Sequence, residues 1–187
     1  MIVLSTARLR LRPWRNEDLA PFASMNADPE VMEHFPERLD RASSDRLAAR
    51  IIGGFDERGF GAWAVEIPGV AAFAGFVGFM FPSFEAHFTP CVEIGWRLMR
   101  EAWGMGYATE AARAAIGCGF ETLAFDEIVA MTVAANDRSL RVMRKLGMSS
   151  ASSDDFDHPN LPPGHPLRRH VLYRLKREDW LSSADRP

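Results

Sequence analysis

A chain of 187 residues, 47% hydrophobic and 25% charged, has the length and make-up of one globular domain with a sizeable core. Its 22 basic and 25 acidic residues leave a net charge of −3, so neither nucleic acid nor an anionic membrane surface is implied as a partner. Two cysteines, Cys91 and Cys118, lack metal-like spacing and exclude a disulfide scaffold, and no apolar stretch approaches a membrane span. Reduced structural thiols and a cytoplasmic protein, neither exported nor anchored, are expected.

From Ala7 to Trp14, Leu9 and Leu11 alternate with Arg8, Arg10 and Arg12, the period of a strand with one solvated face, and the arginines are expected at the surface. Asn16-Glu17-Asp18 opens a helix carrying Leu19, Phe22, Ala23 and Met25, and Ser43-Ser44-Asp45 opens a second carrying Leu47, Ala48, Ile51 and Phe55. His34 and Phe35 lie between them. Strands are expected over 61–67, 72–81 and 91–99, with turn signals at Pro68-Gly69 and over 82–90, which makes an antiparallel meander. A helix over 106–123 separates the third of these strands from another over 127–134. That βαβ arrangement implies a parallel pair, so the fold class is α/β with a mixed, mostly antiparallel sheet. Asn136 or Asp137 can cap a further helix that Gly147 ends. The stretch 149–166, with four prolines and no periodicity, reads as a long loop, either a functional lid or a disordered segment, carrying Phe156, His158 and His165. A last strand over 168–175 places Val171, Tyr173 and Leu175 on one face and His170, Leu172 and Arg174 on the other. Residues 180–187 are expected to form an unstructured tail, and the whole chain, 1–187, a single domain.

The chemistry is concentrated between Glu93 and Leu123. A strand pattern, Glu93-Ile94-Gly95-Trp96-Arg97-Leu98-Met99, leads through Trp103-Gly104-Met105-Gly106-Tyr107-Ala108-Thr109-Glu110 into a helix with small residues at helical spacing, Ala111, Ala112, Ala115 and Gly119. The first amide N–H groups of such a helix have no intrahelical partner and carry the positive end of its dipole, so phosphate binds well there. A dinucleotide-binding fingerprint would require Gly or Ala where Thr109 stands, although Asp126 occupies the acidic position about twenty residues on. A phosphate loop of the Gly-Lys-Ser/Thr type is excluded, since no Lys or Arg follows Gly104 or Gly106. Taken alone, the segment is also compatible with a turn before an ordinary core helix.

It is followed by a strand pattern, Glu127 to Val133, and a second helix, Asn136-Asp137-Arg138-Ser139 to Lys145-Leu146-Gly147-Met148. The order strand, glycine turn, helix, strand, Asn-x-x-Ser helix resembles the GNAT superfamily of acyl-CoA-dependent N-acyltransferases at its two most diagnostic motifs. The wording Trp-Gly-x-Gly-Tyr-Ala-Thr-Glu-Ala, with Thr6-Ala7-Arg8-Leu9-Arg10-Leu11-Arg12 at the start, is similar to the ribosomal-protein N-acetyltransferase-like branch, and the resemblance covers residues 2–148. It implies a GNAT-type fold in which helices flank a mostly antiparallel sheet with a central, splayed parallel strand pair. It also implies acetyl-CoA as co-substrate and an amine as acceptor, with no metal; a homodimer is left open. The pyrophosphate loop in this superfamily is usually Gln/Arg-x-x-Gly-x-Gly/Ala. Trp103 departs from its first position, and phosphate binding therefore falls to backbone amides of 104–109, with Trp103 as packing. The donor-binding set implied is Leu98, Met99, Arg100, Gly104, Met105, Gly106, Tyr107, Ala108 and Thr109, with Asn136 and Ser139 from the second helix.

Acyl transfer to an amine needs a base for the ammonium and a proton for the departing thiolate. The resemblance places Ser139 as the proton donor and Glu93 as the base. On the residues alone, Ser139 is equally a first-turn serine bonding to local backbone, and Glu93 a surface residue paired with Arg97. His34, Phe35, His158, His165 and His170 are expected on the acceptor side, the histidines as alternative bases. Glu110 is read as favouring the helix dipole. A non-catalytic acyl-CoA-binding or sensing domain, keeping the loop but lacking acid and base, is the competing reading.

Overall fold

In the computed structural model, which describes residues 1–184, the chain divides into two units, 1–79 with 95–115 and 80–94 with 116 onward. The first unit begins with short strands β1 (Leu4–Ser5) and β2 (Arg10–Arg12), followed by helices α1 (Leu19–Ala27) and α2 (Arg41–Arg58). Strands β3 (Ala62–Ile67), β4 (Ala71–Met80) and residues 95–98 of β5 (Glu93–Leu98) succeed them, and a glycine turn leads into α3 (Tyr107–Glu121), whose first half closes this unit. The strands β1 to β4 pair in sequence order and antiparallel, with Leu11 opposite Val65 and Ala64 opposite Phe76. β3 and β4 are buried at nearly every position, so both faces of these two strands are covered.

Aromatic packing fixes this unit. Trp14 meets Phe22 edge-on at 4.9 Å and Phe73 at 5.4 Å, and its indole N–H donates to the Ala62 carbonyl at 2.8 Å. The arginine stripe of β2 is not all solvated. Arg12 is 2% exposed, and its guanidinium donates to both carboxylate oxygens of Asp18 at 2.7 and 2.9 Å and to Glu66 at 2.7 Å. A carboxylate on the turn before α1 and another on β3 converge on this position, so burying the cation is tolerated there, while Arg8 and Arg10 stay exposed. Helix α2 starts two residues before Ser43, because Asp40 is the true cap and accepts from the Ser43 N–H at 2.7 Å.

The second unit holds β6 (Glu127–Val133), α4 (Asp137–Lys145), β7 (Ser149–Ser150), β8 (Phe156–Asp157), β9 (Arg169–Lys176) and α5 (Arg177–Ala184). β6 and β9 run antiparallel over their whole length, from Glu127 opposite Lys176 to Val133 opposite His170. The start of β5 pairs parallel with β6, Glu93 opposite Val129, and the Val129 N–H donates to the Val92 carbonyl at 2.9 Å. This is the parallel pair that the βαβ order implies. The stretch 149–166 is not featureless. β7 and β8 add to β9, and Phe156, 6% exposed, packs with Phe88 and stacks near Phe84, which anchors the segment against this unit's core. The expected tail is helical through Ala184 in α5, with Trp180 packed near Phe120; residues 185–187 lie outside those described. Among the described residues, no helix is long and apolar enough to cross a membrane.

Candidate functional site

The glycine turn builds the cradle anticipated at α3. Gly104 and Gly106 both take left-handed backbone, with φ of 75° and 81°, a conformation that costs glycine nothing and other residues strain. The first bond of α3 runs from the Glu110 N–H to the Gly106 carbonyl at 3.0 Å, so the amides of Tyr107, Ala108 and Thr109 open the helix without intrahelical partners. Ala111, Ala112 and Ala115 are fully buried, which holds this end of the helix rigid. Trp103 is packing, as expected: it lies against the aromatic core, and its indole N–H donates to the Leu98 carbonyl at 2.9 Å.

Two residues that sequence reasoning did not place here also meet the cradle. Thr6 Oγ1 donates to Glu110 at 2.6 Å, and Arg8 binds the same carboxylate through its backbone N–H at 3.0 Å and its Nε at 2.7 Å. Burial acts to raise the Glu110 carboxyl, but the bonds from Thr6 and Arg8 outweigh it and hold it below the ordinary value. Glu110 is thus a tie between the chain start and α3 rather than a free dipole partner. Arg8 also donates to the Met105 carbonyl at 3.0 Å and lies 4.8 Å from the Tyr107 ring, which puts a cation beside the turn. The signal was present in a first-turn glutamate, read only as a dipole partner, and in the Arg-rich segment near the start of the chain.

Leu98, Met99 and Arg100 feed the turn, and much of their backbone is already committed: the Met99 N–H donates to Ala74, and the Met99 and Arg100 carbonyls accept from Ala102 and Trp103. The Arg100 side chain is engaged by Glu30 and Asp28. Arg97, one turn of strand earlier, does not pair with Glu93. Its Nη1 donates to Asn26 at 2.6 Å, and its guanidinium lies 4.0 Å from the Phe35 ring. Neighbouring His34 faces Glu33 at 3.7 Å.

In the second unit, Glu93 sits beside β6 with neither an ion pair nor a hydrogen bond on its carboxyl. The residue is half-buried, and desolvation pushes its carboxyl from 4.5 up to about 7. A carboxyl poised there can exchange a proton near neutrality. On α4, Asn136 uses both ends of its amide, accepting from the Ser139 N–H at 3.2 Å and donating to Thr132 Oγ1 at 3.0 Å. The cap therefore employs the Ser139 backbone, and the half-buried hydroxyl makes no hydrogen bond to the protein. Local backbone bonding does not occupy it.

The histidines separate. His158 and His170 lie 5.1 Å apart in the cluster of Phe84, Phe88 and Phe156, and burial lowers both, leaving them neutral at physiological pH. His165 stands outside it, its Nδ1 accepting from the Leu167 N–H at 3.1 Å. His34 and Phe35 belong to the first unit with the cradle. Among the described residues, no group of three His, Cys, Asp or Glu side chains is arranged to hold a metal.

Comparison with known proteins adds a lineage to this geometry. Residues 8–149 match the family described as acetyltransferase (GNAT) domain. The chain is 32% identical over 148 residues to the Bacillus subtilis protein YkkB, covering 78% of this chain and 84% of that one. It is 29% identical over 194 residues to the FsC-acetyl coenzyme A-N(2)-transacetylase of Aspergillus fumigatus, covering 95% and 77%. The crystal structure of a GNAT-family acetyltransferase from Bacillus anthracis has the same fold, with a TM-score of 0.77 at 24% identity over 95% of this chain and 99% of that one.

Proposed function

We propose that this chain, which belongs to the acetyltransferase (GNAT) family, transfers the acetyl group of acetyl-CoA to a primary amine by direct attack in a ternary complex. The observation that carries the reading is the pair of left-handed glycines before α3, where the first amides have no intrahelical partner and suit an anion. Those amides, at residues 104–109, receive the donor's pyrophosphate. Glu93, raised to about 7, takes the proton that leaves the ammonium. The neutral nitrogen forms its bond to the thioester carbon, the carbon–sulfur bond breaks, and the uncommitted Ser139 hydroxyl gives its proton to the thiolate and regains one from the newly acylated nitrogen, which becomes the neutral amide. No covalent enzyme intermediate is needed, and no metal. The site works in the cytoplasm, where acetyl-CoA and amines coexist. The resemblance of its opening and loop motifs to the ribosomal-protein N-acetyltransferase-like branch makes a protein N-terminal α-amine one acceptor class, and small-molecule amines the other.

The test is thiol release from acetyl-CoA across a panel of small amines and N-terminal peptides. Turnover that falls in Ser139→Ala and in Glu93→Gln, with acetyl-CoA binding retained, supports the assignment. Acetyl-CoA binding with no turnover on any amine favours a non-catalytic sensing domain.

A further inference from the structure

Arg97 is a cation without a carboxylate. Buried guanidinium groups are ordinarily matched by an acidic side chain, because desolvating the charge alone is costly. Here the partner is neutral: Nη1 donates to Asn26 Oδ1 at 2.6 Å, and the rings of Phe35 and Phe76 lie 4.0 and 5.6 Å from the guanidinium carbon. Nε is fully buried and has no hydrogen-bond partner, and Nη2 makes none either, although it is not enclosed. Nε is sealed by protein, so the unpaired N–H groups still open to an incoming acceptor are those of Nη2.

The groups around the guanidinium hold it in place and leave Nη2 without a protein partner. Asn26 is itself fully buried and is held by a bond from its Nδ2 to Ser44 Oγ at 2.9 Å, which fixes the rotation of the fork. At Gly75, φ is 133° and a Cβ would collide with the Arg97 carbonyl and Leu98 Cα, so only glycine lets the backbone beneath Arg97 sit where it does. The acidic residues of the segment just beyond α1, Asp28 and Glu30, both turn to Arg100 instead. Phe35 covers one face of the cation and is 38% exposed, so the group lies directly beneath a surface ring. Burial draws Arg97 down to about 10, and it remains cationic at the pH of any cell.

We propose that Nη2 of Arg97 receives a carboxylate of the acceptor, so that this enzyme acetylates primary amines that also carry a carboxylate. The inference rests on the N-acetyltransferase reading above and narrows its acceptor class. The carboxylate belongs either to a free amino acid or to an acidic first residue of a peptide, and the arms of one experiment separate these sources.

Acetylation rates from acetyl-CoA are compared for the proteinogenic amino acids against their amides, and for Asp-Gly-Gly-amide against Asn-Gly-Gly-amide. An amide's α-amine is less basic than that of the free acid, so more of it is neutral and intrinsic reactivity favours the amide. A preference for the acid must then come from the protein. The expected result is a kcat/KM roughly 10- to 100-fold higher for the carboxylate member of at least one pair, the range of a hydrogen bond between charged groups. Arg97→Lys, which keeps the charge but whose shorter side chain does not reach the position of Nη2, should remove most of that ratio and leave the KM for acetyl-CoA unchanged. A preference in the first set assigns a free amino acid, and in the second an acidic N-terminus. Equal rates within every pair overturn the proposal and leave the acetyltransferase reading intact. So does turnover on no carboxylate while acetyl-CoA still binds. Failure of acetyl-CoA to bind overturns both. The wild-type ratios need no variant, so a poorly folding Arg97→Lys does not decide the outcome.

Discussion

Replacing Glu93 by Gln should make the protein more stable in alkali and not in acid. The folded carboxyl titrates at about 7 and the unfolded one at 4.5, so between these values the folded chain holds a proton that the unfolded chain has released. Stability is full below 4.5 and is lost as pH rises through 7. The slope approaches about 1.4 kcal/mol per pH unit, and over the 2.5 units between 4.5 and 7 the loss sums to about 3 kcal/mol. Glutamine cannot ionise, so the variant lacks that slope. Urea denaturation of both proteins at pH 5, 6, 7, 8 and 9 and constant ionic strength reads the effect as the difference between them. His158 and His170, lowered by burial, add slopes of opposite sign, because protonating them favours the unfolded chain as pH falls, but they are common to both proteins and cancel. The difference should grow in favour of Glu93→Gln from pH 5 to pH 8 and level off above. A difference that stays flat across this range would mean that Glu93 is solvated or ion-paired, and its role as the base would lose its physical ground. In the same preparations, kcat/KM of the wild type should rise with pH through about 7, and the variant should lack that limb.

Gly106→Asp adds a side chain at a φ of 81° and a carboxylate among amides meant for phosphate, and should weaken acetyl-CoA binding at least about tenfold by calorimetry. Unchanged affinity would remove the phosphate site from this turn. Ser139→Ala should lower kcat by roughly 10- to 1000-fold with acetyl-CoA affinity and melting temperature nearly intact, since the cap uses only its N–H. If rate and affinity fall together, the hydroxyl binds rather than donates a proton. Asp18→Asn should cost about 3 kcal/mol in urea denaturation, because Arg12 would stay buried with only Glu66 to balance it. A loss below about 1 kcal/mol would show that water reaches this pair.

Short-range pattern was enough for most of the fold. Strands β3, β4, β5, β6 and β9 and helices α3 and α4 lie where runs of apolar and β-branched residues and helical spacing put them, with Pro68, Pro82, Asn136 and Gly147 marking several of their ends. What escaped depended on partners distant in sequence. Nothing near Arg12 announces Asp18 and Glu66, and alternation alone assigned it to solvent. The short strands at 149–150 and 156–157 exist only because β9 offers them an edge, and Phe156 is buried by Phe84 and Phe88 from a separate stretch of chain. The site divided the same way. The glycine turn and the Asn-x-x-Ser cap were readable as local motifs, whereas the Arg8–Glu110 tie, the carboxylate-free setting of Arg97 and the desolvation of Glu93 are properties of burial that one dimension does not record.

The central claim is that the turn at Gly104 and Gly106 holds the pyrophosphate of acetyl-CoA, and titrating the protein with acetyl-CoA in a calorimeter, beside NAD as a control, tests it most directly. The account expects micromolar, saturable binding of acetyl-CoA with one site per chain and no heat from NAD. No binding of acetyl-CoA, or equal binding of NAD, would contradict it.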